Sequence, residues 1–171
     1  LIITCDCGIS NHEEIRAARE AGMEVVVTDH HNIPAELVPA EVIVNPKLLE
    51  EQHPCHSIPG VGVAYLLSQA LQKHLGFYLD FEPLQLVALG VVSDVVPLSH
   101  ENRYWLHQGL KILNSPDVLP GIRSLLKVAK LEYIDEDVIG FQLGPRLNAP
   151  GRVTSADICV RLLLTEDQTE A

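Results

Sequence analysis

Apolar positions follow two different patterns along this chain. Over the first 45 residues they form short continuous runs rich in β-branched side chains; from residue 60 onward they recur at helical spacing. Continuous runs predict strands buried on both faces, as in parallel sheets, and the 3.6-residue period predicts helices. Residues 1–5 form the first such run and residues 23–28 the second. Between them, Ser10 with Glu13 three positions on matches a capping box, and Gly22 is a stop signal, which predicts a helix over 11–21. Ile15 and Ala18 fall on one face of that helix, and Glu13, Arg16 and Glu20 are spaced for ion pairs on the other. A strand, a short helix and a strand on tight links make a βαβ unit with parallel strands and a right-handed crossover.

Residues 41–45 read as a third strand ended by Pro46, followed by a loop to residue 60. Gly60-Val61-Gly62 opens a helix over 63–75 that Gly76 closes, and Pro83 suits the first turn of a helix over 84–92 that is apolar nearly all round. An amphipathic helix over 99–114 would bury Trp105, Leu106, Leu110 and Leu113. Helices are predicted over 120–129, 135–143 and 155–164, with a Gly/Pro-rich loop over 144–152. The expected class is α/β: a parallel sheet with βαβ units over residues 1–98, followed by a mainly helical continuation of the same core over 99–171.

At 171 residues and 47% hydrophobic, the chain can bury a core of mainly Val, Leu, Ile and Ala. No apolar run reaches the roughly 18 residues that a membrane span needs, and no secretory signal opens the chain. It begins on Leu1-Ile2-Ile3-Thr4 rather than Met, which reads as the middle of a strand in a longer protein. Four cysteines do not make a disulfide scaffold and suggest a reducing, cytoplasmic compartment. The formal net charge of −11 argues against an independent nucleic-acid-binding module. It leaves open a metal-dependent enzyme, because bound cations reverse the local field.

Chemistry-bearing residues gather at the ends of apolar elements. Asp6 follows the first strand, Asp29-His30-His31 the second, and Asp94 the apolar stretch 84–92. Ligands of open parallel sheets bind outside the carboxyl ends of the strands. The βαβ unit would place Asp6 and His30 at one such edge, on strands that could be neighbours about 4.8 Å apart. Carboxylates with imidazoles suit Mn²⁺, Fe²⁺ or Zn²⁺, and carboxylates alone suit Mg²⁺. A carboxylate shared by two ions about 3.5–4 Å apart is a recurring device in phosphoester hydrolysis. Each residue also has a structural reading: Asp6 could cap the next helix or tighten a turn, and Ser93-Asp94 could simply end a helix.

Val25-Val26-Val27-Thr28-Asp29-His30-His31 resembles the signature of the DHH phosphoesterase family. Ile3-Thr4-Cys5-Asp6-Cys7-Gly8-Ile9-Ser10 is similar to that family's preceding Asp-x-Gly motif, and residues 89–98 to its later Asp motif. Gly144-Pro145-Arg146-Leu147-Asn148-Ala149-Pro150-Gly151-Arg152 and Gly60-Val61-Gly62-Val63-Ala64 resemble one branch, the RecJ-type single-stranded-DNA exonucleases. The resemblance implies a divalent-metal enzyme, with Mn²⁺ or Mg²⁺ in a two-metal centre. The reaction implied is 5′→3′ hydrolysis of single-stranded DNA in repair and recombination, where other repair proteins could be partners. It implies Asp6 as a bridging carboxylate, His30 and Asp94 as metal ligands, and His31 facing the scissile phosphate with Asp29 orienting the histidines. Arg146, Asn148 and Arg152 would meet the nucleic-acid backbone, since guanidinium forks match phosphate geometry. Turn geometry alone could explain that glycine- and proline-rich segment, with Arg152 paired to Asp157.

Three features depart from the family pattern. Its first motif, a strand ending in paired aspartates, and its C-terminal substrate-binding domain are missing, so roughly half of a dinuclear centre is expected and this piece alone should be inactive. Cys7 stands where a small polar residue is expected; a packed thiol is the ordinary reading. His53, Cys55 and His56 have no standard zinc spacing and read as a surface loop, while His12, His74, His100 and His107 read as helix-surface or capping residues. The alternatives to the exonuclease are a small-nucleotide or oligonucleotide phosphodiesterase of the same superfamily, and a catalytically silent replication scaffold.

Overall fold

The computed structural model describes residues 1–171, which divide into two compact units. The first unit holds Leu1–Tyr78 and Val96–Tyr104. It carries the strands β1 (Ile2–Ile3), β2 (Val25–Thr28) and β3 (Val42–Val44) and the helices α1 (His12–Glu20) and α2 (Gly60–Leu75). The sheet is parallel throughout in the order β1-β2-β3, with Ile2 opposite Val25 and Val26 opposite Val42. The continuous Val run of β2 is buried as its pattern predicts: Val25 and Val27 are almost fully enclosed, packed with Ile15 of α1 and Val38, and flanked by Ile2, Ala18, Ala40 and Ile43. The α/β class and its parallel sheet are therefore as expected.

The start of α1 differs from expectation. Its N-cap is Asn11, not Ser10, and no side-chain hydrogen bond caps it. The one-residue shift moves Glu13 from the third helical position to the second, where it cannot close a capping box. Glu13 and Glu14 still favour the helix by lying in its first turn, at the positive end of the dipole. The expected Glu13-Arg16-Glu20 pairs do not form. The ion pair of this helix is Arg19 Nε with Glu41 Oε1 at 2.6 Å, and Glu41 also accepts from the Val25 backbone N–H at 2.7 Å. These bonds hold the Glu41 carboxyl below its usual range, that from Val25 being the strongest influence.

The second unit holds Leu79–Val95 and Trp105–Ala171 and is helical. It contains α3 (Leu84–Ser93), most of α4 (His100–Leu113), α5 (Pro120–Ala129), α6 (Glu136–Val138), a π-helical turn (Ile139–Leu143), α7 (Gly144–Val153) and α8 (Asp157–Leu164). The apolar stretch of α3 is buried, and so is Gln85 on it. That amide is satisfied at both ends: Nε2 donates to the Glu82 carbonyl, and Oε1 accepts from the Leu119 N–H at 2.8 Å. Trp105, Leu106 and Leu113 are core residues as predicted, and Leu110 is half-buried.

Residues 144–152, expected as a loop, form α7 instead. Pro145 lies in its first turn, where a missing N–H matters little. The π turn before it spreads the backbone just where the Pro145 ring would meet the carbonyl four residues back in a regular α-helix. Pro150 inside the helix removes one further N–H. No helix of the chain is long and apolar enough to cross a membrane.

Gly121 in α5 shows how closely the helices of this unit approach. A Cβ there would lie 1.7 Å from the Leu162 carbonyl oxygen of α8. Gly121→Ala should therefore lower unfolding stability by about 2 kcal/mol or more, since backbone rather than a pliable side chain must move. Urea titration followed by circular dichroism measures this, and an unchanged midpoint would contradict the packing.

Candidate metal centre

The site sits where β1 and β2 end. The ladder between them continues past both strands, with Thr4 N–H donating to the Val26 carbonyl and Asp6 N–H to the Thr28 carbonyl at 3.0 Å. The two threonines lock the strand ends. Thr28 Oγ1 donates to the Thr4 carbonyl at 2.6 Å, the Thr28 N–H donates to Thr4 Oγ1, and Thr4 Oγ1 donates to the Cys7 carbonyl. Asp6 then adopts a left-handed backbone with φ of 62°, uncommon for a residue with a Cβ and often found where a side chain is held for function. Its side chain is 58% exposed, and Oδ1 lies 3.1 Å from His30 Nε2.

Asp29 is 1% exposed and accepts four hydrogen bonds. Oδ2 receives the Ile9 N–H at 2.9 Å. Oδ1 receives the His30 N–H at 2.8 Å, the His31 N–H at 3.2 Å and the His31 ring Nδ1 at 2.6 Å. Burial alone would raise this carboxyl's pKa, but the bonds from Ile9, His31 and His30 outweigh it and hold the group below its usual range, ionised. An ionised carboxylate only accepts, so the His31 proton facing it sits on Nδ1. In that tautomer Nε2 carries the lone pair that can ligate a cation, and it donates to a phosphate oxygen only when the ring is doubly protonated. The two imidazoles stand 4.5 Å apart between centroids, tilted by 49°.

Asp6, His30 and His31 form one group, each offering a ligand atom within 4.8 Å of the others. The donors are one carboxylate and two imidazoles, a mixed oxygen and nitrogen set that suits a divalent cation such as Mn²⁺. The group stands at the carboxyl ends of parallel strands, as the sequence predicts. Asp94 belongs to the second unit, where it is the C-cap of α3 with its N–H given to the Gly90 carbonyl. The next residue, Val95, is a β-branched residue at φ 54°, a conformation rare for such side chains.

The three residues expected to meet a nucleic-acid backbone do not converge. Asn148 and Arg152, one helical turn apart on α7, line a cavity of about 370 Å³ with Ser93, Gly140, Gly144, Pro145 and Ala149. Arg146 lines a different cavity, and its Nη1 donates to the Gln142 carbonyl at 2.7 Å. The reason is the helix: positions 148 and 152 share a face, and 146 is turned away from both. Asp157 accepts from Ser155 Oγ at 2.8 Å rather than pairing with Arg152.

Cys7 is exposed, not packed. Cys5 is exposed as a residue but its thiol is partly desolvated; that desolvation, followed by the charge of Asp6 and by Cys7, raises its pKa and disfavours the thiolate that a soft metal would need. The His53, Cys55 and His56 group is engaged elsewhere: His53 Nδ1 accepts from the Cys55 N–H, and His56 Nδ1 faces the Leu49 carbonyl. One supporting residue escaped the sequence reading. Asn45 Nδ2 donates to the His31 carbonyl at 3.0 Å, and Asn45 Oδ1 caps the Lys47 N–H. The polar Asn45 closing a β-branched run ahead of Pro46 is the signal that could have marked it.

Known proteins resemble this chain in sequence and in fold. The sequence is 42% identical to the single-stranded-DNA-specific exonuclease RecJ of Escherichia coli (strain K12), matching all of this chain and 32% of that protein. It is 43% identical to RecJ of Bacillus subtilis (strain 168), matching all of this chain and 21% of that one. The chain thus spans a third or less of these relatives. Among solved structures, RecJ from Thermus thermophilus in complex with Mn²⁺ aligns at a TM-score of 0.86 and 37% identity, over 98% of this chain and 25% of that one. A manganese-bound exonuclease RecJ aligns at 0.86 and 38% identity, over 99% and 43%. The sequence model of the DHH family N-terminal domain matches residues 1–91, more than half of the chain, and with the Asp29-His30-His31 cluster in place the chain belongs to the DHH family.

Proposed function

We propose that this chain is part of the catalytic core of a divalent-metal-dependent exonuclease that hydrolyses single-stranded DNA from the 5′ end. One observation carries the reading: Asp6, His30 and His31 are gathered at the ends of two parallel strands, and Asp29 is buried behind them with its four accepted bonds. The similarity to relatives named single-stranded-DNA-specific exonucleases supports the substrate, and the structures of RecJ from Thermus thermophilus with Mn²⁺ and with Mg²⁺ support the ion.

Asp6 and His30 serve as ligands, and the family resemblance assigns a ligand role to Asp94 as well. When bound, the cations would lower the pKa of water for in-line attack and neutralise the leaving oxygen. His31 faces the scissile phosphate, with its ring orientation fixed through Nδ1 by Asp29. Asn148 and Arg152 contact the strand's phosphates from α7; Arg146, tied to the Gln142 carbonyl, contributes by a separate contact.

The test is cleavage of a 5′-labelled single strand by the intact protein with Mn²⁺. His30→Ala or Asp94→Ala should each slow it by about 10²–10³-fold, the scale of losing one charge-stabilising group. Unchanged cleavage by either variant removes that residue from the machinery, and preference for a dinucleotide over a long strand would favour a small-substrate phosphodiesterase.

Asp29→Asn keeps the shape but not the charge, and its amide nitrogen cannot accept. Mn²⁺ affinity measured by calorimetry should fall by about 10–100-fold. Stability in urea should fall by about 1–3 kcal/mol, because buried N–H donors lose their acceptor. Unaltered affinity would show that Asp29 does not position the histidines.

A further inference from the structure

The Gly60-Val61-Gly62 segment opens α2, and the chemistry above does not use it. Gly60 is buried in the first turn of that helix, after Pro59 in an extended conformation. Two N–H groups of the turn, those of Gly62 and Val63, bond to the Pro59 carbonyl. Gly60 has ordinary helical geometry and no positive φ, so the backbone does not call for glycine. Within a helix alanine would be preferred over glycine by about 1 kcal/mol.

Space is what calls for it. A Cβ on Gly60 would lie 2.1 Å from Asp6 Oδ1, 2.6 Å from Asp6 Cγ and 2.9 Å from Asp6 Cβ. All three separations are below contact distance. The oxygen nearest the missing methyl is the one that stands 3.1 Å from His30 Nε2. Rotation of the exposed Asp6 side chain could move Oδ1 and Cγ but not Cβ, whose place follows a backbone held in the left-handed region with its N–H tied to the Thr28 carbonyl.

We infer that Gly60 is a positioning residue for the metal centre: its missing side chain is the space that the Asp6 carboxylate occupies, so the start of α2 sets where Oδ1 points. The inference rests on the reading of Asp6 as a metal ligand. It adds that a residue from a different element, remote in sequence and without a polar group, decides the carboxylate's position.

The test uses Gly60→Ala in the intact protein, with Mn²⁺ alone as the probe in calorimetry and metal-free unfolding as a second readout. Mn²⁺ binding should weaken at least about tenfold, the scale of disturbing a ligand's support. The metal-free protein should also lose stability despite gaining a better helix former. That loss should vanish in an Asp6→Gly background, which keeps the left-handed backbone and removes the clashing atoms. If Gly60→Ala alone does not fold, the double variant must, and its failure to fold would overturn the inference. Wild-type Mn²⁺ affinity in Gly60→Ala, with binding abolished by Asp6→Asn, would overturn the inference and leave Asp6 as a ligand. Unchanged binding in Asp6→Asn would overturn the ligand assignment, and the inference with it.

Discussion

An ionised carboxylate buried in protein is unfavourable unless its oxygens are satisfied, and Asp29 is such a group. Its partners come from three places: the turn after β1 through the Ile9 N–H, the backbone after β2 through His30 and His31, and the His31 ring. The third strand joins through Asn45, which holds the His31 carbonyl. One side chain therefore ties the segments that carry the candidate ligands, and the tie is stronger than neutral bonds would be because the acceptor is charged. The sheet provides parallel strand ends, and Asp29 makes them a site.

Asp6 illustrates the complementary constraint. Where Asp29 is fixed by attraction, Asp6 is fixed by exclusion and backbone geometry. It sits in a conformation that L residues seldom take, with the first turn of α2 against its carboxylate. Strain of this kind persists only when the surroundings over-determine it. Here the threonine lock between Thr4 and Thr28 supplies that support on the strand side. The result is a candidate ligand with a restricted position, which would lower the ordering cost of binding an ion.

Much of this was legible in the sequence, because buried parallel strands need unbroken apolar runs and Val25-Val26-Val27 is one. The strand ends then located Asp6 and the Asp29-His30-His31 run without any coordinates. What escaped has physical causes. The Ser10 and Glu13 spacing fits a capping box, but the chain enters α1 one residue later, and a pattern cannot register a shift of one. The glycines and prolines of 144–152 read as turn formers, whereas here Pro145 sits where a helix tolerates it and Gly144 lies close to Ser93. The nearness of Gly60 to Asp6 joins residues far apart in sequence, and local periodicity carries no information about such a meeting.

The π turn over Ile139–Leu143 has a geometric effect on the helix after it. Each residue added to or removed from a helix rotates the downstream residues by about 100° around the axis. The widened turn thus sets the angular phase of α7, and with it which side chains look toward Ser93 and which look away. A deletion of one residue there would swing the helix by more than a quarter revolution, exchanging the pair at 148 and 152 for a different face without altering any side chain of α7.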